Sequence, residues 1–75
     1  MIKELDTVAL ARAVPEHGLE PDDIGTVVMI HGQHEGFEVE FVTLSGETIA
    51  VVTLPEDAVR ELGPEEIAHA RLVVV

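Results

Sequence analysis

Histidines and one carboxylate are the residues of this chain whose spacing suggests a metal site. His31 and His34 lie in one short polar stretch beside Glu35, and His17 lies in an earlier loop. Imidazole nitrogens and carboxylate oxygens are ligands that Zn²⁺ or Ni²⁺ accepts. The spacing fixes no third ligand, and ordinary surface histidines explain such a loose pattern more often. We predict no metal and no cofactor, and we keep a metal-binding protein using His17, His31 and His34 as the less favoured alternative.

Paired carboxylates are the second set with chemical potential. Glu38 and Glu40 share one face of a predicted strand, and Asp22 and Asp23 share a predicted turn. Two such groups perform acid–base chemistry when a pocket separates their pKa values. A chain of 75 residues without cysteine has little room for such a pocket, and it shows no Ser-His-Asp set. We predict that the protein is not an enzyme and has no catalytic residues.

The charge of the chain favours a basic protein as its partner. Four Lys and Arg residues stand against 15 Asp and Glu residues, which gives a net charge of −11. This balance disfavours binding to nucleic-acid phosphates and to anionic membranes, whereas it steers a basic protein toward the chain. Solubility alone is the plainer alternative. We predict a small acidic protein-binding module. Its predicted partner-binding residues are Glu16, Glu20, Asp22, Asp23, Glu35, Glu38 and Glu40.

The segment from Leu19 to Phe41 must position most of these carboxylates. Asp22–Gly25 combines turn-forming aspartates with a glycine, so it predicts a turn. Thr26–Ile30 is rich in β-branched residues and apolar on both faces, which predicts a strand covered on both sides, as in a small barrel or at an interface. Gly32–Gly36 is polar with a glycine at each end, as in a hairpin loop.

A strict alternation follows this loop and is the clearest structural signal in the chain. Phe37, Val39 and Phe41 fall on one face of a strand, and Glu38 and Glu40 fall on the other. The pattern predicts one face in the core and one acidic face in water.

The first strand is predicted over Leu5–Val14, because its large apolar residues recur at even spacing and the segment ends before a proline. A helix is the alternative, since Ala, Leu and Arg are good helix formers. Arg12 interrupts the apolar face, and we expect it to pair with Glu38 or Glu40 across the sheet. A surface ion pair without function is the more common outcome.

The remaining elements are read from turn signals and short β-rich runs. A second hairpin is predicted at Leu44–Glu47, where Ser-Gly marks the turn. The later elements are a strand over Thr48–Leu54, a helical turn over Pro55–Ala58 and a fifth strand over Val59–Leu62. Five short strands with tight hairpins predict an all-β, SH3-like barrel over residues 1–62.

Residues 63–75 are predicted to be a C-terminal extension of this barrel. After Gly63 and Pro64 break the chain, Glu65–Arg71 has acids first and a base last, which predicts two helical turns. An apolar tail follows, and we expect it to be buried as an extra strand or against another subunit. A homo-oligomer is therefore the alternative function, held together by Leu72, Val73, Val74 and Val75.

Composition and termini predict a soluble cytoplasmic protein. The lack of cysteine fits a reducing compartment. Lys3, Glu4 and Asp6 begin the chain with no long apolar run behind them, unlike a signal peptide. The longest apolar runs fall far short of the roughly 20 residues that span a bilayer.

Three segments together resemble a known family: MIKELDTVAL, PEHGLEPDDIGTVV and FEVEFVTLSGETIAVVTL. They are similar to the small bacterial family called domain of unknown function 4926, from Met1 to about Leu62. The resemblance implies a small SH3-like barrel and no established activity, cofactor or catalytic residue. An antitoxin- or immunity-like role is the expectation that it adds.

Overall fold

The structure is a computed structural model that describes residues 1–73. Five strands form one antiparallel sheet in the order β4-β3-β2-β1-β5, and two short 3₁₀ helices lie at Pro15–His17 and Glu56–Ala58. The strands are β1 (Thr7–Leu10), β2 (Ile24–His31), β3 (Gly36–Val42), β4 (Thr48–Pro55) and β5 (Val59–Glu61). The predicted all-β class is confirmed, and closure of the sheet as an SH3-like barrel stays a prediction.

Strand β3 supplies the centre of the core as its alternation predicts. Phe37, Val39 and Phe41 are buried. Val39 is paired with Val27 of β2 on one side and with Val52 of β4 on the other. Because these three valines are all buried, they form one apolar row across the sheet, which leaves the glutamates of β3 on the opposite face.

Strand β2 is not covered on both sides within the single chain, and its coverage at an interface stays a prediction. Val28 and Met29 are 39% and 46% exposed. The register with β3 shifts between Val27 and Met29, which makes Val28 the extra residue of a β-bulge. A bulge disrupts the period of two, and a run that is apolar throughout therefore does not tell which residues reach the core.

Strand β1 is shorter than the predicted Leu5–Val14. It ends at Leu10, and the next amide, that of Ala11, donates to the carbonyl of Ala58 at 2.8 Å. The chain bends there and leaves the sheet. The part that remains a strand contributes Val8, Ala9 and Leu10 to the core.

Arg12 does not pair with Glu38 or Glu40, so this prediction was wrong. It lies beyond the end of β1, where its Nη1 is 3.2 Å from Oδ1 of Asp57. Both side chains are more than half exposed, at 55% and 77%. The contact is a surface ion pair of the kind that contributes little to stability.

The C-terminal extension is irregular rather than helical, and the two predicted helical turns of Glu65–Arg71 are absent. A helix of so few residues is unstable unless packing supports it, and Ile67 within the segment is 83% exposed. Leu72 is 92% exposed in the single chain, and neither it nor Val73 forms the predicted extra strand. Burial of the tail against another subunit stays a prediction. The other two predicted tail contacts, Val74 and Val75, lie outside the described residues.

Within residues 1–73, no helix has the length and hydropathy needed to cross a membrane.

Candidate protein-binding surface

The loop between β1 and β2 carries four of the predicted partner-binding carboxylates: Glu16, Glu20, Asp22 and Asp23. Two buried residues, Val14 and Leu19, pair across the base of the first turn. The Asp22 amide donates to the Leu10 carbonyl, and the Leu10 amide donates to the Asp23 carbonyl, both at 2.9 Å. These backbone bonds hold the two aspartates beside the end of β1.

Asp23 is turned toward the C-terminal extension by its own local hydrogen bonds. Its Oδ2 accepts from the Glu20 amide at 2.8 Å, and its amide donates to the Glu20 carbonyl at 3.1 Å. Arg71 then binds it through both arms of the guanidinium, with Nε 2.7 Å from Oδ1 and Nη2 against Oδ2. The Asp23 side chain is only 16% exposed. The Arg71 hydrogen bond lowers the pKa of Asp23, more strongly than burial raises it.

Acid should therefore release this contact. Because the folded pKa of Asp23 lies below its ordinary value of 3.8, the pair contributes stability above the unfolded pKa and loses it as pH falls through the folded pKa. We expect the Asp23 carboxyl carbon to titrate at higher pH in Arg71→Gln than in the native chain, as measured by NMR. Arg12→Gln, which removes an equal charge elsewhere, should leave that titration unchanged. Identical Asp23 titrations in all three proteins would refute the pairing.

A second arginine binds the neighbouring aspartate and the extension together. Arg60 of β5 donates to Oδ1 of Asp22 at 2.9 Å and to both carboxylate oxygens of Glu66 at 2.9 and 3.0 Å. Glu66 also accepts from the Gly63 amide at 2.6 Å. The Gly63 bond, followed by the Arg60 bond, lowers the pKa of Glu66. Asp22 and Asp23 of this loop are thus each paired with an arginine of the same chain.

The outer face of the sheet carries a different group of carboxylates. Glu38 is paired directly with Met29 of β2. Glu40 is paired directly with Val51 of β4. Directly paired residues of antiparallel strands share a face, and Met29 and Val51 are 46% and 50% exposed. We call these four residues, Met29, Glu38, Glu40 and Val51, the outer face.

The contacts of the two glutamates leave their charge without a Lys or Arg partner among residues 1–73. Oε2 of Glu38 lies 3.0 Å from Nε2 of His31. Oε2 of Glu40 accepts from the Thr48 hydroxyl at 2.9 Å. Both glutamates are half-buried, so these contacts orient the carboxylates without neutralising them with a permanent cation.

The histidines serve separate contacts. His34 donates from Nε2 to the carbonyl of Ile2 at 3.1 Å and packs edge-on against Phe37. His31 faces Glu38, and His17 ends the first 3₁₀ helix. In the part of the chain that the structure describes, no three His, Cys, Asp or Glu side chains are grouped to hold a metal ion.

The seven predicted partner-binding residues thus form two groups instead of one surface. Glu16, Glu20, Asp22 and Asp23 belong to the β1–β2 loop, whereas Glu38 and Glu40 belong to the outer face, with Glu35 in the adjoining hairpin. No hydrogen bond or ion pair between described side chains joins the two groups. Among the described residues, Glu38 and Glu40 of the outer face contact no lysine or arginine, whereas Asp22 and Asp23 of the loop do.

The comparison with protein families supports the resemblance seen in the sequence. The family model described as "Domain of unknown function (DUF4926)" matches residues 4–61. The chain belongs to this family. The match covers all five strands of the DUF4926 domain and ends at the last residue of β5. Neither the curated proteins nor the solved structures gave a significant match.

Sequence reasoning missed the apolar members of the outer face. It also missed the two arginines, one in β5 and one in the C-terminal extension, that bind the loop. Met29 and Val51 of this DUF4926 domain were assigned to strands without a prediction that they would be exposed beside the glutamates. A single strand does not show its cross-strand neighbours, so only the register could reveal them. Arg60 and Arg71 lie 38 and 48 residues from the aspartates they bind, which no local pattern indicates.

Proposed function

We propose that this chain is a small acidic protein-binding module and that its outer face binds a basic protein. One observation carries the proposal: two half-buried glutamates, Glu38 and Glu40, stand directly beside two exposed apolar residues, Met29 and Val51. A binding surface needs apolar area to exclude water and charges to select its partner. The outer face offers both.

The distribution of cations supports a basic partner. Arg12, Arg60 and Arg71 all pair with carboxylates away from the outer face. The chain has only four Lys and Arg residues against 15 Asp and Glu residues, so most of its carboxylates have no permanent cation to pair with. A basic protein supplies the missing charge, and the uncompensated field accelerates its approach.

Apolar contacts would slow the dissociation of such a complex. Val28, the bulge residue beside Met29, is 39% exposed. Methionine adapts its shape to different partners, and exposed apolar residues grouped together often mark interaction sites. An antitoxin- or immunity-like protein that covers a basic partner is one role that this chemistry suits.

Capture from the native host tests the proposal. The tagged full chain should retain one basic protein in a stoichiometric amount at about 0.1 M salt, identified by mass spectrometry. At about 1 M salt the screening length falls from about 10 Å to about 3 Å, and we expect most of that protein to be lost. A retained protein without a basic surface, or retention independent of salt, would contradict electrostatic recognition.

A homo-oligomer remains the second candidate because Leu72 is 92% exposed in the single chain. Association through the apolar tail would bury this residue and would make the melting temperature rise with protein concentration. A melting temperature that is constant over a hundredfold range of concentration, about 1 to 100 μM, would remove this candidate.

A further inference from the structure

We infer that the C-terminal tail is a displaceable strap and that Arg71 occupies a site for an arginine of the basic partner. The strap is residues 63–73. The guanidinium site is formed by the carboxylates of Glu20 and Asp23 and the carbonyl of Gly18. The inference rests on the proposed function for the origin of the arginine. It places a second recognition site on the β1–β2 loop, separate from the outer face.

Arg71 fills the guanidinium site and lies 48 residues after Asp23 in the chain. Nε of Arg71 donates to Asp23, and Nη2 donates both to Asp23 and to the Gly18 carbonyl, the latter at 3.0 Å. Nη1 lies 3.7 Å from a carboxylate oxygen of Glu20. The site therefore matches the donors of a planar guanidinium on several sides.

The same geometry selects arginine over lysine. An ammonium group is a compact charge and cannot place two parallel N–H bonds on one carboxylate while a third reaches a carbonyl. The acceptors are also held in place without the ligand, because Asp23 is oriented by the Glu20 amide. Gly18, whose carbonyl is the third acceptor, has a φ of 69° that suits glycine.

The strap is attached mainly by polar contacts, so little opposes its release. It has no helix or strand over residues 63–73. Its large apolar side chains Ile67 and Leu72 are 83% and 92% exposed, which means that hydrophobic burial contributes little to holding it. Arg71 and Asp23 are 28% and 16% exposed, and salt or other cations compete for ion pairs that solvent still reaches. A partner with several cations can therefore compete with the single side chain of Arg71.

A groove lies between the sheet and the strap, and five of its ten lining residues belong to the strap. An incoming segment would therefore replace that wall as it displaces the strap. The volume of the groove is about 350 Å³, and Ala9 and Ile24 of the sheet form part of its wall. Asp22 and Glu66 lie at the same groove and already bind one guanidinium, that of Arg60. The occupant that fits is an arginine-bearing segment with a small apolar residue nearby, as the strap itself provides.

The test measures whether emptying the site lets another arginine enter. The probe is the peptide acetyl-Ala-His-Ala-Arg-Leu-amide, which copies residues 68–72, titrated into full-length ¹⁵N-labelled protein. We expect Arg71→Gln to bind it about two- to fivefold more tightly than the native chain, as suits one partly exposed ion pair. The shifted amides should be those of residues 18–23. Arg12→Gln is the matched control, since it removes the same charge and another surface ion pair.

Three outcomes would overturn the inference. The first is equal binding of the peptide by Arg71→Gln and Arg12→Gln. The second is equal binding of a peptide with citrulline in place of arginine, which keeps the shape and removes the charge. The third is persistence of binding when Asp23→Asn is added to Arg71→Gln, because asparagine can still accept from the Glu20 amide but has no charge and only one acceptor oxygen.

The capture experiment separates failure of the strap from failure of the proposed function. If the native chain captures a basic protein and Arg71→Gln captures no more of it than Arg12→Gln does, the strap is wrong and the binding module stands. If the peptide enters the emptied site but no basic protein is captured from the host, the module is wrong and the site remains an internal clasp.

Discussion

Replacement of Phe41 by alanine is expected to lower the free energy of unfolding by about 3–5 kcal/mol, the usual cost of removing a buried aromatic ring. Phe41 is 3% exposed and is one of only two aromatic residues of the Phe, Trp and Tyr types in the chain. Its ring lies against Gly25, and this glycine has no side chain that could fill the cavity left by the alanine substitution. Native proteins have a total stability of about 5–15 kcal/mol, so this variant should lose a large share of its stability.

Urea denaturation followed by circular dichroism measures this effect, with Val42→Ala as the control. Val42 is the next residue of the same strand and is 50% exposed, so its truncation should cost about 0.5 kcal/mol or less. Equal costs for the two variants would mean that Phe41 does not face the core.

Replacement of Gly25 by alanine should destabilise the protein by about 1–3 kcal/mol, as overpacking of a core does. A Cβ at this position would lie 2.6 Å from a methyl group of Val39 and 2.9 Å from both the Glu40 carbonyl oxygen and the Phe41 ring. Glu40 lies between β2 and β4, so its carbonyl cannot move without disturbing the sheet. The added methyl group should therefore separate β2 from β3, the two strands that build the outer face.

Gly63→Ala is the matched control for this prediction. A Cβ there meets only the Glu66 side chain, at 3.5 Å or more, which is ordinary contact. The same chemical change should cost little or stabilise slightly, because alanine restricts the unfolded chain. Thermal melts of both variants decide the matter, and a Gly25→Ala protein as stable as Gly63→Ala would contradict the packing of β2 against β3.

The sequence predicted the parts of the fold that follow from local rules. The alternation of Phe37, Val39 and Phe41 with glutamates identified β3, because a strand with one wet face has a period of two. Glycines at the ends of Gly32–Gly36 identified the hairpin for a similarly local reason. The helical turn before β5 and the strand Val59–Glu61 were also recognised from proline and β-branched residues.

Features that depend on distant residues were missed. Acid–base order along Glu65–Arg71 predicted a helix, yet Arg71 binds Asp23 across the fold and no apolar face of this segment is buried. The exposure of Met29 depends on a bulge, which a continuous apolar run conceals. The acidic surface was predicted by counting carboxylates. The contacts of the described residues show that Asp22 and Asp23 of the loop pair with arginines, whereas Glu38 and Glu40 of the outer face do not.

The most direct test of the account compares capture by two variants of equal charge. Glu38→Gln/Glu40→Gln neutralises the outer face, and Glu56→Gln/Glu65→Gln neutralises two exposed glutamates elsewhere. At about 0.1 M salt, where charges act over about 10 Å, the native chain and the control should retain the same basic protein, and the outer-face variant should lose it. Loss of the protein in both variants, or in neither, would show that net charge or another surface is responsible. Recovery of the chain only with itself would contradict the binding module altogether.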